Sequence, residues 1–389
     1  SGQPVFSQLF SFLPKDNIRS VIADYQSDRY FKKFKTWDHL ITMLFAVLTK
    51  CQSLREVESG MAGFSNRFCN LGLSHIAPKS TFSDANINRN SKVFEAIFKA
   101  CYDHLRPYLP DSCMKNHEWL EKLFLIDSTT ITLFKEILKA AGRTPSNGKR
   151  KGGVKIHVGM YLKEDVPSVV RISSSATHDS TFLRQLGRFQ QGTILVFDKA
   201  YVNFELFNKW TKDELVWVTR KKEWLVESVL EEHNVSLDQQ KQGVYRIQTI
   251  ELGHSTQKER VKCRLIYLYD QEKNHVFKFI TNDFTYKASE ISAMYKQRWQ
   301  IELLFKRLKQ NLVLGDFLGD NENAIRIQIW CNLIADLLIA VAQKMAKRKW
   351  AYSNVAGLIR LHLMNYVDLF KLLKNPARKE TVSYTHLTL

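Results

Sequence analysis

The chain has 389 residues, of which 44% are hydrophobic and 25% charged, with only 16 glycines and 8 prolines. That composition excludes a disordered, collagen-like or low-complexity chain, and no uninterrupted apolar run of about 18 residues marks a membrane span. Fifty-seven Lys and Arg against 39 Asp and Glu leave a formal charge of +18, which points to a polyanionic partner, nucleic acid before membrane surface.

The length suits two or three domains of roughly 150 residues. Six cysteines without a C-x-x-C pair oppose a zinc knuckle or disulfide framework and fit a reducing cytosol. The chain opens at Ser1 without a signal-peptide pattern, so a cytoplasmic protein is expected.

Residues 1–112 read as helical. Thr36 is placed to cap a helix carrying Trp37, Leu40, Ile41, Leu44, Phe45 and Leu48 at helical spacing. Ser53-Leu-Arg-Glu56 has the form of a capping box, and Ser91 is placed to cap a further amphipathic helix. The stretch 53–89 has the rhythm of a helix-turn-helix, with Ser80 to Arg89 in the reading position; a plain helical bundle is the alternative. Pro107, Pro110 and Asp111 mark a boundary.

The middle of the chain alternates. Leu123–Asp127, 154–162, 169–173, 193–198 and 215–219 read as five strands, with helices expected at 179–186 and 203–209, an α/β core. From 225 to 285 three more strands are expected, at 244–252, 260–269 and 275–281. A long helix follows over 289–312, then basic helices over 323–374. After residue 340 nine Lys or Arg face only two acids, which suits either a solvated face or phosphate contact.

Asp127 and Asp198 each end an apolar strand run, where ligands sit in an α/β core, although such an acid can simply cap the next turn. On the long helix, Tyr295, Arg298, Glu302 and Lys309 fall within a wedge of about 60° at 3.6 residues per turn. A carboxylate flanked by two cations and a phenol suits phosphodiester chemistry; an ordinary Arg298–Glu302 helix pair is the alternative.

Tyr295-x2-Arg298-x3-Glu302-x6-Lys309 is similar to the signature of the IS4 family of bacterial DDE transposases. The surrounding YKQRWQIELLFKRLKQ resembles that family too, as do Ile126-Asp127-Ser128-Thr129-Thr130 and the segment from Phe197-Asp198 to Asn203-Phe204. The opening GQPVFSQLFSFLP is similar to the helical N-terminal domain of one branch, and the resemblance covers roughly residues 3–380.

The resemblance implies a catalytic triad of Asp127, Asp198 and Glu302 in an RNase H-like core, a mixed sheet flanked by helices. The implied organisation is a helical DNA-binding domain at 1–112, the first part of the core at 113–222, a β-rich insertion at 223–286, core completion with basic helices at 287–381, and a tail of doubtful origin at 382–389. The insertion accounts for the long gap between Asp198 and Glu302 and is expected to project beside the cleft.

Two Mg²⁺ ions, or Mn²⁺, are the implied cofactors. Double-stranded DNA, as terminal inverted repeats and target, is the implied partner, bound by a homodimer without membrane involvement in association with the nucleoid. The implied reaction is hydrolysis of the element's ends followed by 3′-OH joining, through a hairpin in related enzymes. Tyr295, Arg298 and Lys309 would hold phosphates. Lys149, Arg150, Lys151 and Lys155, set among glycines, form a candidate phosphate-contact loop. His157 reads as a core residue, Thr177-His178-Asp179 as a helix cap, and Trp224, Tyr245 and Trp299 as packing residues that could alternatively stack on a displaced base. The competing classes are a non-catalytic DNA binder derived from a transposase and a stand-alone RNase H-like nuclease.

Overall fold

The computed structural model describes residues 2–73, 75–110, 117–132, 153–174, 179–253, 259–312 and 314–376. Two compact units emerge: one of residues 1–108, 310–319 and 323–389, the other of 109–309 and 320–322.

The first unit is helical: Val5–Phe10, Lys15–Asp24, Thr36–Thr49, Leu54–Gly63, Lys79–Asn88, Lys92–Leu105, Glu322–Met345, Tyr352–His362 and Leu369–Lys374. The basic C-terminal helices thus group with the N-terminal helices, whereas the sequence reading attached them to the sheet core. An aromatic cluster ties early elements together, with Phe6 edge-on to Phe68 at 5.7 Å and Phe45 edge-on to Phe68 at 5.6 Å. Glu322–Met345 is long and apolar enough to span a membrane by length and composition, yet 94% of its apolar window is buried inside the protein. It is the core helix of this unit.

Local signals set several helix starts. Ser53 Oγ accepts from the Glu56 N–H at 3.2 Å as expected, but Glu56 reaches back to the Gln52 N–H at 2.7 Å. Two expected caps are corrected. Thr36 lies inside its helix and its hydroxyl donates to Asp28 at 2.7 Å, while Asp38 accepts from the Lys35 N–H. Ser91 makes no side-chain cap; Asn90 accepts from the Lys92 N–H at 3.0 Å.

The second unit is built on one nine-stranded sheet: β1 (Leu123–Thr132), β2 (Gly153–Tyr161), β3 (Val169–Ser174), β4 (Ile194–Phe197), β5 (Val216–Arg220), β6 (Glu227–His233), β7 (Val244–Leu252), β8 (Val261–Asp270) and β9 (His275–Thr281). The spatial order is β3-β2-β1-β4-β5-β9-β8-β7-β6. β1, β4 and β5 run parallel; the other pairings are antiparallel. The β-rich segment, expected to project as a separate insertion, instead continues the core sheet through the β5–β9 ladder.

Strand alternation sorts the side chains onto two faces. Phe124, Ile126, Leu195, Phe197 and Trp217 join one buried cluster with Phe207 and Trp210 from helix Phe204–Lys212, where Phe207 stacks on Trp217 at 4.2 Å. The other face is covered by helix Ala288–Lys296, which contacts β4 and β5.

Candidate active site

Register brings the two aspartates together. Ile126 pairs with Phe197 across parallel strands β1 and β4, so the next residues, Asp127 and Asp198, leave side by side. Both have the parity of the helix-covered face, opposite Ile126 and Phe197. The strand end expected at Asp127 is corrected: β1 runs on to Thr132 against β2, and only its parallel partner stops.

The long helix expected over 289–312 is two helices, Ala288–Lys296 and Trp299–Asn311. Between them the Gln297 N–H bonds back to Met294 at 3.1 Å and the Arg298 N–H to Tyr295 at 3.1 Å, a tightened 3₁₀-type turn. The signature therefore straddles a break: Tyr295 precedes it, Arg298 sits in it, and Glu302 and Lys309 follow.

Arg298 is the hub. One guanidinium nitrogen donates to Asp127 Oδ2, and the other donates to Glu302 Oε1 at 2.7 Å. Asp127 also accepts from the Ser128 N–H at 2.8 Å. Burial is the main influence on Asp127 and, helped by the charge of Asp198, lifts its pKa from 3.8 to about 6 against the opposing pull of Arg298. Burial alone would lower the pKa of Arg298, but Asp127, Tyr295 and Glu302 outweigh it and raise it. Asp198 accepts from the Ala200 N–H at 3.0 Å, the turn-capping role open to a strand-end acid.

The sequence reading missed Arg220. Val196 pairs with Val218 across β4 and β5, so two residues on, Arg220 lies level with Asp198, 3.6 Å from its carboxylate. Its guanidinium lies 5.6 Å from the Tyr295 ring centroid, and that of Arg298 lies 5.8 Å away. The signal was a basic residue ending a parallel strand beside an acid-ending one, but it appears only once the register is known.

Three buried polar atoms here lack a hydrogen-bond partner among the described residues: Arg220 Nε, Arg298 Nε and the Tyr295 hydroxyl. Such groups are costly to leave unmet unless a ligand satisfies them. Burial is also the main reason the Tyr295 phenol has a raised pKa. Lys309 reaches the site's edge and donates to the Thr129 hydroxyl at 3.0 Å.

Other candidates do not gather here. Lys149, Arg150 and Lys151 lie outside the described residues, as do Thr177 and His178. Lys155 pairs with Thr130 in β1, and its parity puts it on the sheet face opposite Asp127. His157 is a core residue as expected, stacked on Phe182 at 5.1 Å and 3.3 Å from the Tyr201 hydroxyl. Trp224, Tyr245 and Trp299 do not pack in the core; they are 71%, 50% and 58% exposed. Arg89, at the end of the expected reading helix, is buried and cannot contact bases.

Among the described residues no group of three Asp, Glu, His or Cys side chains is gathered as an ion requires. Arg298 holds Asp127 and Glu302 instead. Three carboxylates are nonetheless the all-oxygen donor set that a hard divalent cation takes. Against two guanidiniums they leave one uncompensated negative charge, so the residues fit such a cation.

A family model described as the transposase DDE domain matches residues 118–338, and one described as a domain of unknown function, DUF4372, matches 1–74. The chain is 29% identical over 266 residues to transposase y4zB of Sinorhizobium fredii, covering 68% of this chain and 71% of that one. It is 29% identical over 236 residues to the transposase of insertion sequence IS5377 from Geobacillus stearothermophilus, 58% of either chain. It is 25% identical over 318 residues to the transposase of IS4SA from Synechocystis, 79% of this chain and 80% of that one. A cryo-EM structure of the piggyBac transposase synaptic complex with hairpin DNA shares the fold, with a TM-score of 0.50 and 9% identity over 98% of this chain and 83% of that one. The sheet core is thus the RNase H-like DDE fold, with which dependence on divalent metal comes in general. With more than half of its length matched by that domain, the chain belongs to the DDE transposases.

Proposed function

We propose that this transposase binds the ends of its own insertion sequence as a homodimer in the cytoplasm, cuts them by hydrolysis, and joins each freed 3′-OH to target DNA through a hairpin intermediate. The observation that carries the reading is that Asp127 and Asp198 leave neighbouring strands side by side while one guanidinium, that of Arg298, bonds both Asp127 and Glu302.

Asp127, Asp198 and Glu302 would hold two Mg²⁺ ions, or Mn²⁺, which would supply activation of the nucleophile and stabilisation of the leaving oxygen. Arg298 keeps Asp127 and Glu302 in place and, when they turn to cations, offers its donors to a phosphate oxygen. The Tyr295 hydroxyl, without a partner among the described residues, is a second donor for such an oxygen in this reading. Arg220 positions Asp198, and Lys309 adds an exposed cation that tracks the backbone. In each step oxygen attacks phosphorus and the P–O3′ bond breaks. Water is the first nucleophile; the 3′-OH it frees closes the hairpin, a second water reopens it, and the 3′-OH so returned attacks the target.

The 1–112 helical domain, the 223–286 insertion and the basic C-terminal helices supply end recognition and DNA grip in this reading. Two ends must meet, which is why a dimer forms on DNA. The test is cleavage of the element's terminal repeats with Mg²⁺, set beside the same protein carrying Asp127→Asn. Metal-dependent nicking that the variant loses supports the assignment. DNA binding with no cleavage by the unmodified chain under any divalent ion would overturn it.

A further inference from the structure

The helical unit contains a cleft of about 990 Å³ that the active-site chemistry does not use. That is the upper end of the roughly 300–1,000 Å³ typical of small-molecule sites. One wall is helix Lys15–Asp24, in which only Ile18 is buried. Lys15, Arg19 and Ile22 follow one another at helical spacing and line the cleft, with Arg29 from the turn beyond. Trp37 and Leu71 line it with them.

The cleft is cationic at its rim. Its single lining carboxylate, Asp28, is engaged by the protein and accepts from both the Thr36 N–H and hydroxyl at 2.7 Å. Arg19 pairs with Asp16 at 3.0 Å, but the two side chains are 75% and 93% exposed, and such a pair gives way easily. Its inner surface offers a fixed aromatic ring. The Trp37 indole N–H donates to the Leu71 carbonyl at 2.9 Å, and its ring meets Phe10 edge-on at 6.1 Å. A second ring, the 83% exposed Tyr30, lies beside Arg29 with the guanidinium 5.4 Å from its centroid.

Cations at a rim with a pinned indole inside is the combination that grips a nucleic-acid strand: phosphates outside, a base against the ring. We propose that this cleft seats an unstacked nucleotide of a DNA strand, its base on Trp37 and its neighbouring phosphates on Lys15, Arg19 and Arg29. The proposal deepens the DNA-binding reading of the helical unit by naming the site and the form of DNA it takes. An acidic protein segment would match the rim but has no use for a rigid, half-buried indole.

The test uses the whole chain, a single-stranded 12-mer, the same strand with one abasic position scanned along it, and polyglutamate as competitor. Lys15→Gln/Arg19→Gln/Arg29→Gln should bind the strand about tenfold or more weakly and flatten its salt dependence by roughly 2, at about 0.7 per phosphate contact on single strands. Trp37→Phe keeps a ring against Phe10 and should lose severalfold affinity with an unchanged salt slope. That loss should vanish on the strand whose abasic position removes the seated base. Unchanged thermal midpoints establish that the variants fold. Asp127→Asn, run alongside, should bind the strand normally, which separates this site from the cutting residues; loss of binding there would put the strand at the three acids and overturn the proposal. Equal slopes in the triple variant, an abasic strand indifferent to Trp37→Phe, or polyglutamate displacing the strand equally from the parent and from Trp37→Phe would each overturn it as well.

Discussion

Two arginines, one buried and one half-buried, divide the molecule instructively. Arg89, in the helical unit, donates to the Phe34 carbonyl at 2.7 Å and the Lys35 carbonyl at 3.3 Å, with its guanidinium 4.0 Å from the Phe31 ring centroid. Its one carboxylate, Asp28, is 3.9 Å away, and burial pulls its pKa down to about 10. Arg298, in the sheet unit, closes on two carboxylates, and its pKa moves the other way. The first arginine completes the backbone of its own fold just ahead of helix Thr36–Thr49. The second is surrounded by more negative charge than it can neutralise, while Nε lacks a partner among the described residues in both. A cation satisfied by carbonyls is a structural clasp; one closed on acids that a metal would claim stands where substrate belongs.

The largest expected effect lies on the acid side of that contrast. Asp127→Asn, Asp198→Asn and Glu302→Gln should each abolish cleavage and joining while gel shifts on the same DNA persist, because shape is kept and ligand charge is lost. Near-normal cleavage by any of them removes that residue from the triad.

The arginines themselves come next. Arg89→Ala leaves the Phe34 and Lys35 carbonyls unmet in the interior and should destabilise the chain by about 1–3 kcal/mol for each in denaturant unfolding. Arg298→Ala should unfold at nearly the parent's denaturant midpoint yet cleave about 10²-fold more slowly, the scale set by losing one preorganised donor at a reacting centre. If the two variants lose similar stability and Arg298→Ala keeps its rate, the contrast between the two arginines collapses.

Asp127 gives a pH signature. Its folded pKa, about 6, is above the ordinary 3.8, so between these values the folded state holds a proton that the unfolded chain releases. The contribution of Asp127 to metal-free stability should therefore be greatest below about pH 4, fall by roughly 2–3 kcal/mol as pH rises to 6, and then level off. Asp127→Asn should remove that decline. A decline that survives in the variant belongs to another group.

The smallest effect is expected of Lys309. Its exposed contact with Thr129 contributes little to the fold, so Lys309→Ala should chiefly flatten the salt dependence of duplex binding by about 0.9. An unchanged slope means no phosphate sits there.

Strands β1 to β5 and the helix carrying Leu40, Leu44 and Leu48 were legible because alternation and 3.6-residue periodicity are local. The acids were legible for the same reason, each following an apolar run. What escaped depended on partners far along the chain. β6, with Glu227, Glu231 and Glu232, has the composition of a surface turn and becomes a strand by pairing with β7. The continuity of the sheet rests on β5 pairing with β9, and Arg220 acquires meaning only from the β4–β5 register. The helix break at Gln297–Arg298 has no Gly or Pro to announce it. Exposed Trp224, Tyr245 and Trp299 show that aromatic character alone does not say which way a ring faces.

The β5–β9 ladder also bears on how such a chain can grow. Where β5 ends, the Lys221 N–H donates to the Lys278 carbonyl at 2.9 Å, so the chain departs from and returns to one point, as though the loop of a hairpin had been replaced by three further strands. Lengthening there need not disturb the strands that carry Asp127 and Asp198. Tolerance is uneven, however. Ile250, Leu252, Val261, Cys263 and Leu265 share the core with Phe207 and Trp217, so excising β7 and β8 would strip that core bare. Turns at the far end, such as the one after Asp270, carry no such burden, and a fluorescent tag or affinity peptide spliced there should leave the enzyme folded and cutting.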